Sequence, residues 1–120
     1  MGFKFYSKKK YEEAMVYFKK YLEEHEEANI ALYNIGVCHI RLNNYDEAID
    51  IFNQVLNKKS ASSITIANSL FNIGYSYISL KEIGKAYQYI ARSWSINPFD
   101  EECRKSLLLI EKHFLKENVE

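Results

Sequence analysis

The sequence contains little that interrupts a helix: one proline, Pro98, and four glycines in 120 residues. Proline and glycine are the residues that most often end helices or mark turns, so their scarcity favours a mainly helical chain. The 16 Lys and Arg residues balance the 16 Asp and Glu residues, which leaves no net charge to attract nucleic acid or an anionic membrane surface. We therefore predict neither a nucleic-acid partner nor direct membrane insertion.

Cysteines and long apolar runs are also scarce. Cys38 and Cys103 stand alone, without CxxC spacing, which argues against a disulfide framework or a cysteine-built zinc site. Two lone thiols are compatible with a reducing compartment, and the cytoplasm is favoured. The longest apolar run, residues 107–110, is far shorter than the ~20 residues that a membrane helix needs. These absences predict a soluble domain, which we expect to be part of a longer chain.

Catalytic and cofactor-binding motifs are missing as well. The chain has no Gly-rich phosphate loop, no GxSxG and no HExxH. His25, His39 and His113 fall on different predicted helices or helix ends, and the acidic residues on both sides of His25 are typical of a solvated helix end. We predict no catalytic residue, no metal, no cofactor and no enzymatic activity.

Two residue types recur at matching intervals along the chain. The interval from Gly2 to Gly36 equals that from Ala14 to Ala48, and we call it the short repeat interval. The interval from Gly36 to Gly74 equals that from Ala48 to Ala86 and is four positions longer, and we call it the long repeat interval. Because two independent markers agree on both intervals, the sequence contains an internal repeat.

Within a repeat the apolar residues follow a helical period. The first stripe of the second repeat consists of Leu32, Ile35, Gly36, His39 and Leu42. The second stripe consists of Tyr45, Ala48, Ile49, Phe52 and Val55. The Asn43-Asn44 pair between them is typical of a short turn, which predicts two antiparallel helices. Gly36 and Ala48 would let the two backbones approach closely, and His39 would pack in the core.

This pattern resembles the tetratricopeptide repeat, a helix pair of about 34 residues. The matching residues are Leu32, Ile35, Gly36, His39, Tyr45, Ala48 and Phe52, and then Leu70, Ile73, Gly74, Tyr77, Ala86, Ile90 and Pro98. The resemblance implies an all-α fold, a right-handed superhelical stack of antiparallel helix pairs (a TPR-like α-solenoid) with a C-terminal capping helix. We expect a single domain over residues 1–120, with a partial repeat at 1–27, repeats at 28–61 and 62–99, and the capping helix at 100–117.

Three local features are expected within this domain. The first helix of the partial repeat would be about two turns long, before a second helix that carries Tyr11, Ala14 and Phe18. The four extra positions of the long repeat interval lie around 60–64, where Ser62 or Ser63 would cap a helix that starts near Ile64 and is about one turn longer. Residues 100–102 are acidic and suit the N-terminus of the capping helix.

The first helix of each repeat has a second apolar face, nearly opposite its core stripe. In proteins that this chain resembles, these helices line the concave groove of the stack, so this face would look into the groove. A face that met only water would be polar, and an apolar surface rimmed by polar groups marks an interaction site. The predicted partner-binding residues are Phe3, Tyr6, Tyr33, Asn34, Val37, Ile40, Arg41, Asn68, Phe71, Asn72, Tyr75 and Ile78.

The sequence therefore predicts a protein–protein interaction module or scaffold that binds an apolar or amphipathic segment of a partner protein in its groove. The apolar side chains would bury those of the partner, and Asn34 and Asn72 would form hydrogen bonds with its backbone. Some relatives grip a C-terminal carboxylate with basic residues on these helices. Asn68 and Asn72 stand at positions where that clamp has basic residues, so we do not expect a carboxylate clamp here.

Alternative interpretations remain open at this point. The Tyr33-Asn34 and Phe71-Asn72 pairs are common in the family and would also serve packing between repeats alone. The domain would act as an oligomerisation module if it paired with itself through the groove or the capping helix. It would be a regulatory segment if the parent chain were a larger enzyme. Separately, another part of the parent chain would be a further candidate occupant of the groove.

Overall fold

The computed structural model describes the backbone of residues 2–119 and the side chains of residues 8–113. Within that range the chain forms six helices and no strand. The helices are α1 (Gly2–Glu24), α2 (Asn29–Arg41), α3 (Tyr45–Leu56), α4 (Ser63–Ser79), α5 (Ile83–Ile96) and α6 (Glu101–Val119). Each helix packs against the next one along the chain, and α2 also packs against α4. This arrangement confirms the predicted all-α stack of helix pairs.

Glycines lie where paired helices approach most closely. A Cβ atom at Gly36 would lie 2.7 Å from the ring of Phe52, closer than real Cβ atoms come to a neighbour. A Cβ atom at Gly74 would collide with the side chain of Ile90. The expected role of Gly36 in close helix packing is confirmed, and Gly74 has the equivalent contact in the third repeat.

The turn between α2 and α3 and the turn between α4 and α5 have the same backbone conformation. Asn43 and Lys81 are separated by the long repeat interval, and both have positive φ, at 61° and 64°. The amide of Asn43 donates to the carbonyl oxygen of Ile40 at 2.9 Å, and that of Asn44 donates to His39 at 2.8 Å. Lys81 and Glu82 repeat these two bonds. The pattern is a Schellman motif, which satisfies the last carbonyl groups of α2 and α4 and reverses the chain.

The extra residues of the third repeat lengthen α4 as predicted. α4 has 17 residues and α2 has 13 residues. The hydroxyl of Ser62 accepts a hydrogen bond from the amide of Thr65 at 3.2 Å, so Ser62 is the residue that caps the helix. The helix begins at Ser63, one position before the predicted start.

The first helix differs from the prediction. A separate helix of about two turns before Tyr11 was expected, but α1 runs without interruption from Gly2 to Glu24. The reason lies in the local sequence: Lys8, Lys9 and Lys10 occupy the segment where the next repeat has its Asn43-Asn44 turn. Lysine is a good helix former, whereas asparagine favours turns and tolerates positive φ.

The core consists of two clusters along the stack. One joins α3 to α4 through Ala48, Ile49, Phe52 and Ile73. The other joins α5 to α6 through Ala86, Ile90, Cys103 and Ile110. The carboxylate of Asp100 accepts hydrogen bonds from the amides of Glu102 and Cys103, and it caps α6 just before the helix begins. No helix in the described part of the chain has both the length and the apolar character needed to cross a bilayer.

Candidate protein-binding groove

Helices α2, α4 and α6 form one side of the stack. α2 contacts α4 directly although α3 lies between them in sequence. Phe71 and Ile78 of α4 pack on the core cluster that includes Cys103 and Ile110 of α6, so α6 continues the same layer. The predicted partner-binding residues from Tyr33 onward all belong to α2 and α4. The side chains of Phe3 and Tyr6, which were also predicted, lie outside the described residues.

Two of the predicted partner-binding residues form a hydrogen bond with each other. The side-chain amide of Asn72 on α4 donates a hydrogen bond to the hydroxyl of Tyr33 on α2 at 3.0 Å. The Tyr33 ring also packs edge-on against Phe52, with ring centroids 5.4 Å apart. Burial raises the pKa of the Tyr33 phenol, and the bond from Asn72 lowers it by a smaller amount. This pair ties the second repeat to the third, as the packing interpretation proposed.

Most of the apolar side chains on this side are half-buried. Val37 and Ile40 pack against the cluster that contains Phe52. Phe71 and Ile78 pack against the cluster that contains Ile90. The sequence placed these residues nearly opposite the core stripe. In a stack, however, an inner helix contacts three neighbours, and its apolar surface is therefore wider than a single stripe.

Other predicted residues remain accessible. Tyr75 is 43% exposed in α4, and its ring centroid lies 6.4 Å from that of Tyr45. Arg41 is exposed at the C-terminal end of α2. Asn34 and Asn68 are half-buried, and Asn34 lines a cleft between α1 and the start of α2. Among the predicted residues, Tyr75 and Arg41 are therefore the most accessible, followed by the two amides.

The same side exposes three apolar residues that the predicted site did not include. Ile30 and Ile64 are each 58% exposed, and Leu109 is 69% exposed. Leu109 follows Tyr75 by the short repeat interval, and Tyr75 follows Val37 by the long one, so the repeat alone would have found Leu109. Ile64 precedes Tyr75 by about three helical turns and therefore lies on the same line of α4.

The titratable groups near this side include two cysteines and a histidine. Cys38 and Cys103 are free and buried, and burial raises the pKa of both thiols. Burial lowers the pKa of His39. Within residues 8–113, no group of three or more His, Cys, Asp and Glu side chains is placed to hold a metal ion. The chemistry available on this side is hydrophobic contact and hydrogen bonding by amides.

Comparison with known proteins agrees with this architecture. Two sequence profiles described as tetratricopeptide repeat match the chain, one over residues 5–63 and the other over residues 67–100. The chain belongs to the tetratricopeptide repeat family. Such repeats are typically non-catalytic modules for protein–protein interaction, and the two matches support that role for the present chain. No curated protein matches the sequence.

Among solved structures, this tetratricopeptide repeat chain is similar to the TPR2AB domain of yeast Sti1, determined in a complex with pHSP90. The TM-score is 0.83 and the sequence identity is 24%. The match covers 98% of the present chain and 46% of the Sti1 chain. At this identity the likeness concerns the fold, and the present chain spans about half the length of the Sti1 chain.

Proposed function

We propose that the chain binds an apolar or amphipathic segment of a partner protein along the side formed by α2, α4 and α6. One observation carries the proposal: each of these helices exposes a large apolar side chain on this side, and the residues are Ile30, Ile64, Tyr75 and Leu109. Isolated exposed apolar residues are ordinary on a protein surface. A set shared by adjacent helices of one layer instead marks an interaction surface.

The spacing of the exposed residues fits an extended or helical ligand. Ile64 and Tyr75 lie on one line of α4, about 17 Å apart at 1.5 Å per residue. Asn68 and Asn72 lie between them on the same face. Asn72 uses one N–H on Tyr33, which leaves its carbonyl oxygen and second N–H for a partner. Apolar contacts at both ends, with amides between them, suit a segment that presents both apolar side chains and backbone polar groups.

The polar residues on this side argue against a carboxylate clamp. The yeast Sti1 domain was solved with pHSP90, which is a precedent for a protein ligand on this fold. In the present chain, the middle of α4 carries Asn68 and Asn72 in place of the basic residues of such a clamp. Arg41 is the single cation among the predicted partner-binding residues. The proposed ligand is therefore recognised through its apolar side chains, and not through a terminal carboxylate.

The experiment uses peptides selected on the folded chain from a displayed library, with their dissociation constants then measured against variants. Tyr75→Lys places a charge in the middle of the proposed surface and should weaken the selected peptides about tenfold or more, as expected when an interface anchor is lost. Tyr87→Lys is the matched control, because Tyr87 is an exposed tyrosine on α5 whose hydroxyl donates to Glu111 on α6, and a lysine there also provides a donor for that carboxylate. Equal weakening by both variants, or by neither, would rule out this surface.

Self-association is a second candidate, and it is favoured by apolar exposure at the C-terminal end of the stack. Phe99 is 90% exposed in the loop before α6, and Leu108 is exposed on α6 itself. Two copies that met through α6 would cover both side chains. Sedimentation over a range of concentrations separates the two candidates, since a monomer at every concentration contradicts self-association and leaves the peptide-binding proposal unaffected.

A further inference from the structure

A cleft between α1 and the start of α2 is lined by aromatic rings that remain partly accessible. Tyr17 is 66% exposed and Tyr21 is 43% exposed. Phe18 is half-buried and meets the Tyr17 ring edge-on, with ring centroids 5.7 Å apart. Ile30 and Asn34 of α2 also line the cleft, which has a volume of about 400 Å³. The cleft therefore offers ring surface to a ligand at the edge of the groove formed by α2, α4 and α6.

This aromatic cleft opens onto an acidic cleft at the turn between α1 and α2. Three residues line both: Tyr21, Glu27 and Ala28. Four exposed glutamates line the second cleft: Glu23, Glu24, Glu26 and Glu27. Glu24 lies at i+3 and i+7 from Tyr21 and Tyr17, so it shares their face of α1. We call the two joined clefts the acidic aromatic cleft.

The carboxylates of this cleft are not neutralised by cations of the described chain. The two ion pairs found among residues 8–113 involve other glutamates, and no described lysine or arginine lines either cleft. The ammonium of Lys58 donates to the carbonyl oxygen of Glu26 at 3.1 Å, and Lys19 and Lys20 are exposed elsewhere on α1. The cleft therefore complements a positively charged group.

We propose that the acidic aromatic cleft holds a positively charged side chain, arginine or lysine, of the segment that occupies the groove. Ring faces attract a cation, and carboxylates pair with it through charge-assisted hydrogen bonds. The aliphatic stem of such a side chain would cover Ile30 while its charged end reaches the carboxylates. A purely apolar side chain would instead desolvate these carboxylates without pairing them. The inference rests on the proposed function, because the cation belongs to the segment bound in the groove.

The peptides selected on the folded chain test this inference. They should share an arginine or a lysine at one position. Replacing that residue with its neutral counterpart, citrulline for arginine or norleucine for lysine, should weaken binding about fivefold or more, because the ring contact and the charge pairing are both lost. The dissociation constant of the charged peptide should also rise with salt concentration, whereas that of the neutral peptide should change little.

Variants of the cleft locate the contact. Glu27→Gln removes one carboxylate, and Tyr17→Leu removes one ring but keeps an apolar side chain. Each should weaken the charged peptide about two- to fivefold and leave the affinity of the neutral peptide nearly unchanged. Glu12→Gln is the matched control, because Glu12 is an exposed glutamate of α1 that lines neither cleft.

The outcomes separate this inference from the proposal for the groove. Selected peptides that share no basic residue, or equal effects of Glu27→Gln and Glu12→Gln, overturn the cation site. The groove proposal then still stands if Tyr75→Lys weakens those peptides. A selection that yields no peptide, or a Tyr75→Lys variant that binds as well as the parent, overturns the groove proposal and this inference together.

Discussion

At the scale of single residues, glycine determines how closely the paired helices approach. A methyl group at Gly36 would push against the ring of Phe52, which is fully buried and has little room to move. We expect Gly36→Ala to lower the free energy of unfolding by about 1–3 kcal/mol, the usual cost of overpacking a core. Urea titration followed by circular dichroism at 222 nm measures this change.

Gly84 provides the control for this substitution. It is helical, like Gly36, but a Cβ atom placed there would meet nothing within 4 Å. Gly84→Ala should therefore stabilise the chain by about 0.4–1 kcal/mol, through the lower entropy of the unfolded state and better helix propensity. If both alanine variants stabilised the chain equally, the close packing at Gly36 would not be a constraint.

The bond between Asn72 and Tyr33 makes a separate residue-scale prediction. Tyr33→Phe and Asn72→Ala each remove one partner of a half-buried hydrogen bond between α2 and α4. Each variant should lower the free energy of unfolding by about 1 kcal/mol, and the double variant should lose less than the sum of the two. Chemical denaturation of all four proteins closes the cycle. Strict additivity would show that the two groups do not interact in solution.

His39 should make stability depend on pH. Burial lowers its pKa below the usual histidine value, with Glu47 acting to raise the pKa and Lys19 to lower it. The folded state therefore binds this proton less tightly than the unfolded state does. The resulting stability is fully present above the unfolded pKa of about 6.5 and is lost as pH falls through the folded value.

The His39→Gln variant isolates this effect. Its free energy of unfolding should fall less than that of the parent when pH is lowered from about 7.5 to about 5, because glutamine does not titrate. Urea titrations of both proteins at the two pH values measure the difference. Parallel losses in the two proteins would assign the pH dependence to other groups.

At the scale of helices and turns, the sequence predicted most elements because local signals agree with packing. The Asn43-Asn44 pair marks a turn, Ser62 marks a cap, and the glycine series marks the close contacts. The turn at Lys81 has no such signal, since neither lysine nor glutamate favours positive φ. It is recognised only because Lys81 follows Asn43 by the long repeat interval.

The repeat interval gave the wrong result at the start of the chain. It predicts a turn at Lys9, but α1 is continuous there. In the two complete repeats the turn joins two helices that pack closely at a glycine. Local propensity alone favours continuation of the helix through three lysines. Tertiary contacts, which an interval cannot supply, decide whether such a segment turns.

The candidate site was predicted less completely than the fold. Tyr75 and Arg41 are exposed as a binding face requires, but Tyr33 and Asn72 are engaged with each other. A helical wheel divides one helix into a core face and an outer face. The helical wheel does not show that α4 packs against α2, α3 and α5 at the same time. These contacts bury part of the outer face of α4. The exposure of Ile64 is recognised only when the neighbouring helices are in place, whereas the repeat interval alone would have found Leu109.

At the scale of the whole molecule, the stack is stabilised mainly by contacts between neighbours. α4 packs against α2, α3 and α5, whereas α6 lies at one end of the stack and packs on α5. In such an array the terminal elements open at lower free energy than the central ones. We expect amide hydrogen exchange to be slowest in α4 and faster in α6.

A substitution in the end helix tests this order of opening. Ile110 is buried in the cluster that joins α6 to α5, and Ile110→Ala should cost about 2–5 kcal/mol of local stability. The core cluster that contains Ile110 includes no residue of α2 or α3. Amide hydrogen exchange in the variant should therefore accelerate strongly in α6 and little in α2. Equal acceleration in every helix would mean that the stack opens as one cooperative unit. In that case α6 would contribute to the stability of the whole domain. The layer formed by α2, α4 and α6 would then unfold as one unit.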